Sequence, residues 1–311
     1  MRVLVTGGAG FIGSHLAAAL LQAGHDTSVL DDLSTGRIEN VPQAARLYQV
    51  DISQAPSVAR VFTEETPEIV FHYAAQASVV KSIRDPADDA RCNIVGSLNV
   101  MQEAVVHRIQ HLVFASTGGA IYGDPERLPA DEDHPARPLS PYGVAKLAVE
   151  QYLGMYSRIG GLSSTCLRYG NIFGPRQDPY GEAGVIAIFT GQVLRGEAPR
   201  IFGDGTQTRD FVYVDDAVGA ALTAMRDRRN GIYNIGTGRQ TSVLELVEAI
   251  AQVMGADLKP RFEPPRTGEV AHIALDASKA RRDLGWSAKT ELVEGIAHTL
   301  KWQRERRERS G

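Results

Sequence analysis

Thr6-Gly7-Gly8-Ala9-Gly10-Phe11-Ile12-Gly13 is the stretch that decides the fold. It joins a short apolar run, Arg2–Thr6, to an apolar stretch of helical spacing, Phe11–Ala23, which Gly24 closes. Each glycine has a physical task where a strand turns into a helix. Gly7 permits the tight turn, Gly10 lets backbone approach a pyrophosphate, and Gly13 lets helix and strand pack closely. The phosphates would lie at the helix N-terminus, over the free N–H groups of Phe11 and Ile12.

Outward from this turn the same theme repeats. Thr27–Asp31, Leu47–Asp51, Ile69–Ala74 and Leu112–Ser116 are apolar runs ending at polar or small residues, and helical stretches such as Ala90–Arg108 lie between them. Such alternation predicts an α/β fold, a Rossmann-like doubly wound parallel sheet covered on both faces. In these sheets ligands bind beyond the carboxyl ends of the strands. After about Gly170 the rhythm changes. Segments rich in Gly and Pro (Phe173–Gly184, Gly203–Arg209, Pro260–Gly268) separate shorter elements, as in a smaller C-terminal substrate-binding lobe. The expected division is residues 1–170 for the nucleotide-binding unit, with 208–235 returning to it, and 171–311 mainly for the lobe. Lys301–Arg309 reads as a charged, fraying helix end.

Composition narrows the class. A chain of 311 residues, 43% of them hydrophobic, can bury a substantial core. A net charge of −4 makes no electrostatic case for nucleic acid or a membrane surface. There is no leader-like segment and no long apolar span, and both cysteines, Cys92 and Cys166, sit in apolar runs that predict buried, reduced thiols. A cytoplasmic protein is expected. The eight histidines form no pair of zinc-ligand spacing, so no metal is expected.

Asp31 ends the second strand about 20 residues beyond the glycines, where an acid hydrogen-bonds ribose hydroxyls. A carboxylate there repels a 2′-phosphate, which favours NAD over NADP. Asp32 could share the task, and Arg37 is the one nearby counter-argument. Asp51 and Ile52 could flank the adenine, or Asp51 could be an ordinary turn acid. Tyr73, Ala74 and Ala75 end the fourth strand with side chains small enough for a dinucleotide to lie against backbone. Asn93, in the next helix, is either a cofactor contact or a satisfied core group.

Tyr142 and Lys146, in Ser-Pro-Tyr-Gly-Val-Ala-Lys at 140–146, are the candidates for chemistry, although any helix with a Tyr and a Lys can show their spacing. Four residues apart on a helix, they share a face. An ammonium beside a phenol favours the phenolate, so the pair can act as an acid/base near neutral pH.

Together these residues resemble the extended short-chain dehydrogenase/reductase family, most closely its nucleotide-sugar 4-epimerases. The resemblance spans essentially the whole chain. Besides the glycine turn it rests on Leu-Asp-Asp-Leu-Ser-Thr-Gly at 30–36 and His-Tyr-Ala-Ala-Gln-Ala-Ser-Val at 72–79. It continues through Leu-Arg-Tyr-Gly-Asn-Ile-Phe-Gly-Pro-Arg at 167–176, Gly-Asp-Gly-Thr-Gln-Thr-Arg-Asp-Phe at 203–211, Asn-Ile-Gly-Thr-Gly at 234–238 and Asp-Ala-Ser-Lys-Ala at 276–280. By position it implies that Tyr142 is the acid/base, that Lys146 lowers its pKa and holds the nicotinamide ribose, and that Tyr169 lies by the cofactor. The family's partner hydroxyl would fall on Gly118 in Ser116-Thr117-Gly118-Gly119, so Thr117 is assigned that role, with Ser116 nearer the cofactor. Asn171 resembles the family's substrate amide, Val185 and Phe202 would line a uridine pocket, and Glu269 falls among the substrate residues. Arg209 and Arg266 suit a diphosphate.

The implied reaction is a transient oxidation at C4 of a UDP-hexose, UDP-glucose or UDP-galactose, followed by re-reduction on the other face. A homodimer joined through the Tyr/Lys helix and Ala90–Arg108 is also implied. Ile273 stands where many relatives carry Tyr, which implies tolerance for N-acetylated sugars, UDP-GlcNAc and UDP-GalNAc. Glycines after Thr117 leave no acid/base carboxylates for a 4,6-dehydratase and argue against a decarboxylase. A non-catalytic, dinucleotide-sensing regulator is the reading of a different class.

Overall fold

Seven strands form one parallel sheet in this computed structural model, which describes residues 1–179, 184–265 and 270–310. β1 (Arg2–Thr6) is central, with β2 (Asp26–Asp31) and β3 (Arg46–Gln49) on one side. On the other side lie β4 (Ile69–His72), β5 (His111–Thr117), β6 (Ser164–Tyr169) and a seventh strand, Gly231–Ile235. The strand order therefore reverses between β1 and β4, and the crevice at their carboxyl ends is where such sheets hold ligands.

Alternation along the strands sorts side chains between two apolar layers. Val3, Val5, Phe71, Val113 and Leu167 face the helices Phe11–Gln22 and Val214–Asp227. Leu4, Leu30, Val70, Leu112 and Phe114 face Ala55–Glu65, Gly96–Val106 and Pro141–Gly160. Three short strand pairs and the helices Val185–Leu194, Val243–Met254 and Leu292–Ser310 enclose a further core of Phe173, Phe189, Phe211 and Leu246. Ala280, Leu284 and Trp286, late in the chain, pack into the core of the main sheet.

Some bounds differ from expectation for local reasons. The third strand stops at Gln49, because Asp51 turns the chain by accepting Ser53 N–H at 2.8 Å. The stretch expected to be helical from Ala90 begins at Pro86 and passes through a π-helical turn, Arg91–Val95, before Gly96–Val106. Such turns gather at functional positions, and this one carries Asn93. Both cysteines are free thiols; Cys166 is buried, whereas Cys92, in that turn, is only half-buried. No helix among the described residues is long and apolar enough to cross a membrane.

Candidate active site

The helix Pro141–Gly160 starts cleanly because the Ser140 hydroxyl accepts Gly143 N–H at 3.2 Å and proline occupies its first turn. Gly161, at φ +67°, ends it. Tyr142, Lys146 and Glu150 lie at four-residue intervals, so they form one stripe. That stripe is bolted to two consecutive residues near the end of β5. Lys146 Nζ donates to Ala115 O at 2.8 Å and Ser116 Oγ donates to Glu150 Oε1 at 2.6 Å, while the Thr117 side chain lies near enough to Tyr142 to lower its phenol's pKa. Lys146 Nζ lies 5.9 Å from the centre of the Tyr142 ring.

Burial reshapes the electrostatics expected of this pair. Desolvation first, then the charge of Asp89, holds the Tyr142 phenol well above its ordinary value, while the nearby Thr117 hydroxyl pulls it down. Desolvation pushes Lys146 down to about 8, against the upward pull of Cys92, Asp89 and Glu150. In the protein alone the neutral phenol is the resting form. The ammonium's preference for a phenolate is outweighed by loss of water.

Position 117 carries the side-chain hydroxyl nearest Tyr142 and position 118 does not, for a steric reason. A Cβ on Gly118 would meet Leu275 Cδ1 at 2.4 Å, so a side chain there would have to displace the buried Leu275. A Cβ on Gly119, by contrast, would sit 3.6 Å from Asn171 Oδ1 and 3.8 Å from Thr117 Oγ1, which places those two groups around one space. Asn171 Oδ1 is buried and has no hydrogen-bond partner among the described residues. It is an acceptor waiting for a donor.

The glycine turn has the shape a dinucleotide needs. Gly7 has φ +71°, and a Cβ there would lie 2.5 Å from Ala74 N, so the turn packs directly on the loop after β4. A Cβ on Gly13 would lie 2.2 Å from Gly7 O, whereas one on Gly10 would meet only Gly7 O, at 3.2 Å. The outer side of Gly10 is thus open to a phosphate, at the first turn of a helix that begins with Phe11 and Ile12. Asp31 is buried at the end of β2, where its two oxygens accept Ala9 N–H and Leu33 N–H, each at 2.9 Å, and burial raises its pKa. These residues fit a dinucleotide.

Other candidates have structural commitments. Asp32 is exposed and accepts Ser34 N–H at 2.9 Å. Asp51 pairs with Arg91 at 3.5 Å, and Ile52 is buried where a side chain on Gly96 would strike it. Tyr73 and Tyr169 join hydroxyls at 2.5 Å, and Ala74 N–H donates to Thr6 Oγ1 at 3.2 Å, with half-buried Ala75 following. Asn93 spends its amide on Gln76 N–H, Gln76 O and Asp89 Oδ1, each at 2.9 Å, which holds the loop after β4.

In the lobe, Val185 opens its helix and Phe202 ends the short strand Arg200–Phe202. Arg209 Nη1 donates to Thr208 O at 2.9 Å. Ile273 is buried with Tyr122, Ala130 and Leu275. Arg266 and Glu269 lie outside the described residues. Glu150 and Leu275 were not singled out from sequence. Glu150 had a signal, the repeat of the four-residue spacing beyond Lys146; Leu275 had none.

Residues 3–236 match the NAD dependent epimerase/dehydratase family. The chain belongs to that family. Within it, the chain is 45% identical over 309 residues to UDP-glucose 4-epimerase of Mycolicibacterium smegmatis, covering 98% of this chain and 99% of that one. Two solved epimerase structures superpose closely. UDP-glucose 4-epimerase of Thermotoga maritima, with UDP-glucose, has a TM-score of 0.97 and 48% identity over 98% of this chain and 99% of its own. The Thermus thermophilus enzyme, in complex with NAD, has a TM-score of 0.93 and 44% identity over the same shares. The seven-stranded sheet and lobe are thus the family's architecture, and the glycine turn lies inside the matched residues.

Proposed function

We propose that this chain is a UDP-glucose 4-epimerase, interconverting UDP-glucose and UDP-galactose through a transient 4-keto sugar. One observation carries the reading: the Thr117 side chain, at the carboxyl end of β5, acts on the buried Tyr142 phenol, with Lys146 one turn along the helix. Bound NAD supplies the hydride acceptor and, after the sugar turns over, the hydride donor. Tyr142 takes the proton of the C4 hydroxyl, keeps it through the keto stage and returns it, so no net proton is exchanged. Thr117 hydrogen-bonds the reacting oxygen. Lys146, fixed on Ala115 O, holds the nicotinamide ribose and its charge favours the phenolate once the site is filled. Asn171 Oδ1 accepts a hydrogen bond from the substrate. Arg209 and Arg266 hold the diphosphate, so that the hexose can rotate while the nucleotide stays fixed. The same positions at the open face of Gly10 and at Asp31 bind NAD.

Incubation with UDP-galactose, with products resolved by chromatography, should yield UDP-glucose. Tyr142→Phe should lower turnover by about 10²–10⁴-fold while NAD still binds. A wild-type protein that binds NAD yet interconverts no UDP-hexose would instead favour the sensing role.

The working form is a two-fold dimer. Val106 on Gly96–Val106, and Val144, Tyr152 and Ile159 on Pro141–Gly160, are exposed apolar side chains on the two helices expected to meet a second copy. Sedimentation at low concentration should give twice the chain mass; a monomer would sink this assignment. Free thiols at Cys92 and Cys166 suit a reducing compartment such as the cytoplasm.

A further inference from the structure

Thr117 is the last residue of β5, and two glycines follow it. The side-chain tie immediately before Thr117 is the bond from Ser116 Oγ to Glu150 Oε1. We propose that Ser116 and Glu150 are positioning residues: their bond sets the register in which β5 presents Thr117 to Tyr142. The role concerns the epimerase reaction and rests on that reading for its kinetic test.

Glu150 is well suited to the task because it cannot turn. It is 3% exposed, its Oε1 also accepts Arg168 Nε at 2.9 Å, and its Oε2 accepts Arg168 Nη2 at 2.6 Å. Arg168 Nη1 donates to the Tyr122 hydroxyl at 2.9 Å, which donates to Asn234 Oδ1 at 2.7 Å, and Asn234 Nδ2 donates to Ala130 O at 2.9 Å. One chain of buried bonds thus spans β5, the Tyr142 helix, β6, the seventh strand and the segment after Gly119. A carboxylate held at both oxygens is a rigid reference point. Lys146 fixes the same helix to Ala115, one residue earlier on β5. Helix and strand are consequently locked together at two adjacent strand residues, and Thr117 inherits its place from them. Catalytic hydrogen bonds tolerate about 0.5 Å of misplacement before rate falls.

A double-mutant cycle separates positioning from independent support. Ser116→Ala should lower kcat about tenfold, the cost of one weakened hydrogen bond in the transition state, with the KM for UDP-galactose changed less than twofold. In a Thr117→Val background the same substitution should cost less than twofold more, because the group it acts through is gone. An equal tenfold loss in both backgrounds, or an unchanged kcat in the first, would overturn the proposal. The pair Glu150→Met with Arg168→Met strands no charge and should fold. It should show the same kcat loss; wild-type kcat there would also overturn it.

A spectroscopic readout needs no turnover. With 3-fluorotyrosine incorporated and Tyr142→Phe identifying the signal, Ser116→Ala should shift and broaden the Tyr142 fluorine line. An unmoved line defeats the positioning role even if the sugar proves to be another. Absence of wild-type turnover alone defeats only the UDP-glucose reading.

Discussion

Leu275 fills the place where a side chain at Gly118 would stand, its Cδ1 lying 2.4 Å from the position of that Cβ. The steric conflict is reciprocal, so the two positions should be coupled. Gly118→Ser is expected to destabilise by about 1–3 kcal/mol through overpacking. Leu275→Ala is expected to cost about 2–5 kcal/mol through its cavity. Combined, each change relieves the other, and urea unfolding should show a total clearly below the sum. Strictly additive penalties would mean that Leu275 does not exclude a side chain at 118.

Gly10 and Gly13 should behave differently although both belong to one turn. A Cβ on Gly13 strikes the Gly7 carbonyl at 2.2 Å, so Gly13→Ala is expected to lose about 1–3 kcal/mol of stability as well as cofactor affinity. Gly10 has φ −75°, which alanine accepts, and its open side meets little protein. Gly10→Ala should therefore leave stability within about 0.5 kcal/mol and weaken NAD binding at least tenfold, read by titration. Unchanged NAD affinity would place the pyrophosphate elsewhere.

What could be read from the sequence follows from how local each signal is. β1, the Gly7–Gly13 turn and the helix after it were legible because strand period, glycine spacing and helix period meet within about two dozen residues. Tyr142 and Lys146 were legible because helical geometry fixes a four-residue spacing without help from the fold. The π-helical turn was not: its Asn93 bonds Gln76, 17 residues away across the loop after β4, and no local pattern announces that contact. Nor was the direction in which burial moves the Tyr142 phenol, which depends on neighbours far apart in the chain. Leu275 against Gly118 is a contact across more than half the chain, and no local pattern announces it.

Lys146 should leave a signature in the pH dependence of stability. Its ordinary value is 10.5 and burial in the folded protein lowers it to about 8. Between those values the unfolded chain binds more protons than the folded one, so this group makes stability rise with pH across that window. Below about pH 8 the full penalty of burying the ammonium is present. Relative to Lys146→Met, the wild type is expected to gain about 3 kcal/mol between pH 8 and 10.5. Denaturation of both proteins across that range checks it, and parallel curves would show that Lys146 is not desolvated as its burial implies.

Asp210 ties Asn171 to the segment that carries Leu275. It is fully buried; Oδ1 accepts Thr237 N–H at 2.8 Å and Thr237 Oγ1 at 2.6 Å, while Oδ2 accepts Gly238 N–H at 3.1 Å and Leu275 N–H at 3.0 Å. Its backbone carbonyl accepts Asn171 N–H at 2.7 Å. Asp210→Asn preserves the volume but must point an NH₂ group at two of these donors. Lost bonds and opposed donors in a buried setting should cost about 2–4 kcal/mol in urea unfolding. Because Leu275 and Asn171 hang from this residue, the KM for UDP-galactose should rise in the same variant. A variant with wild-type stability would show that the four donors find other acceptors, and that Asp210 is not what holds Asn171 beside Thr117.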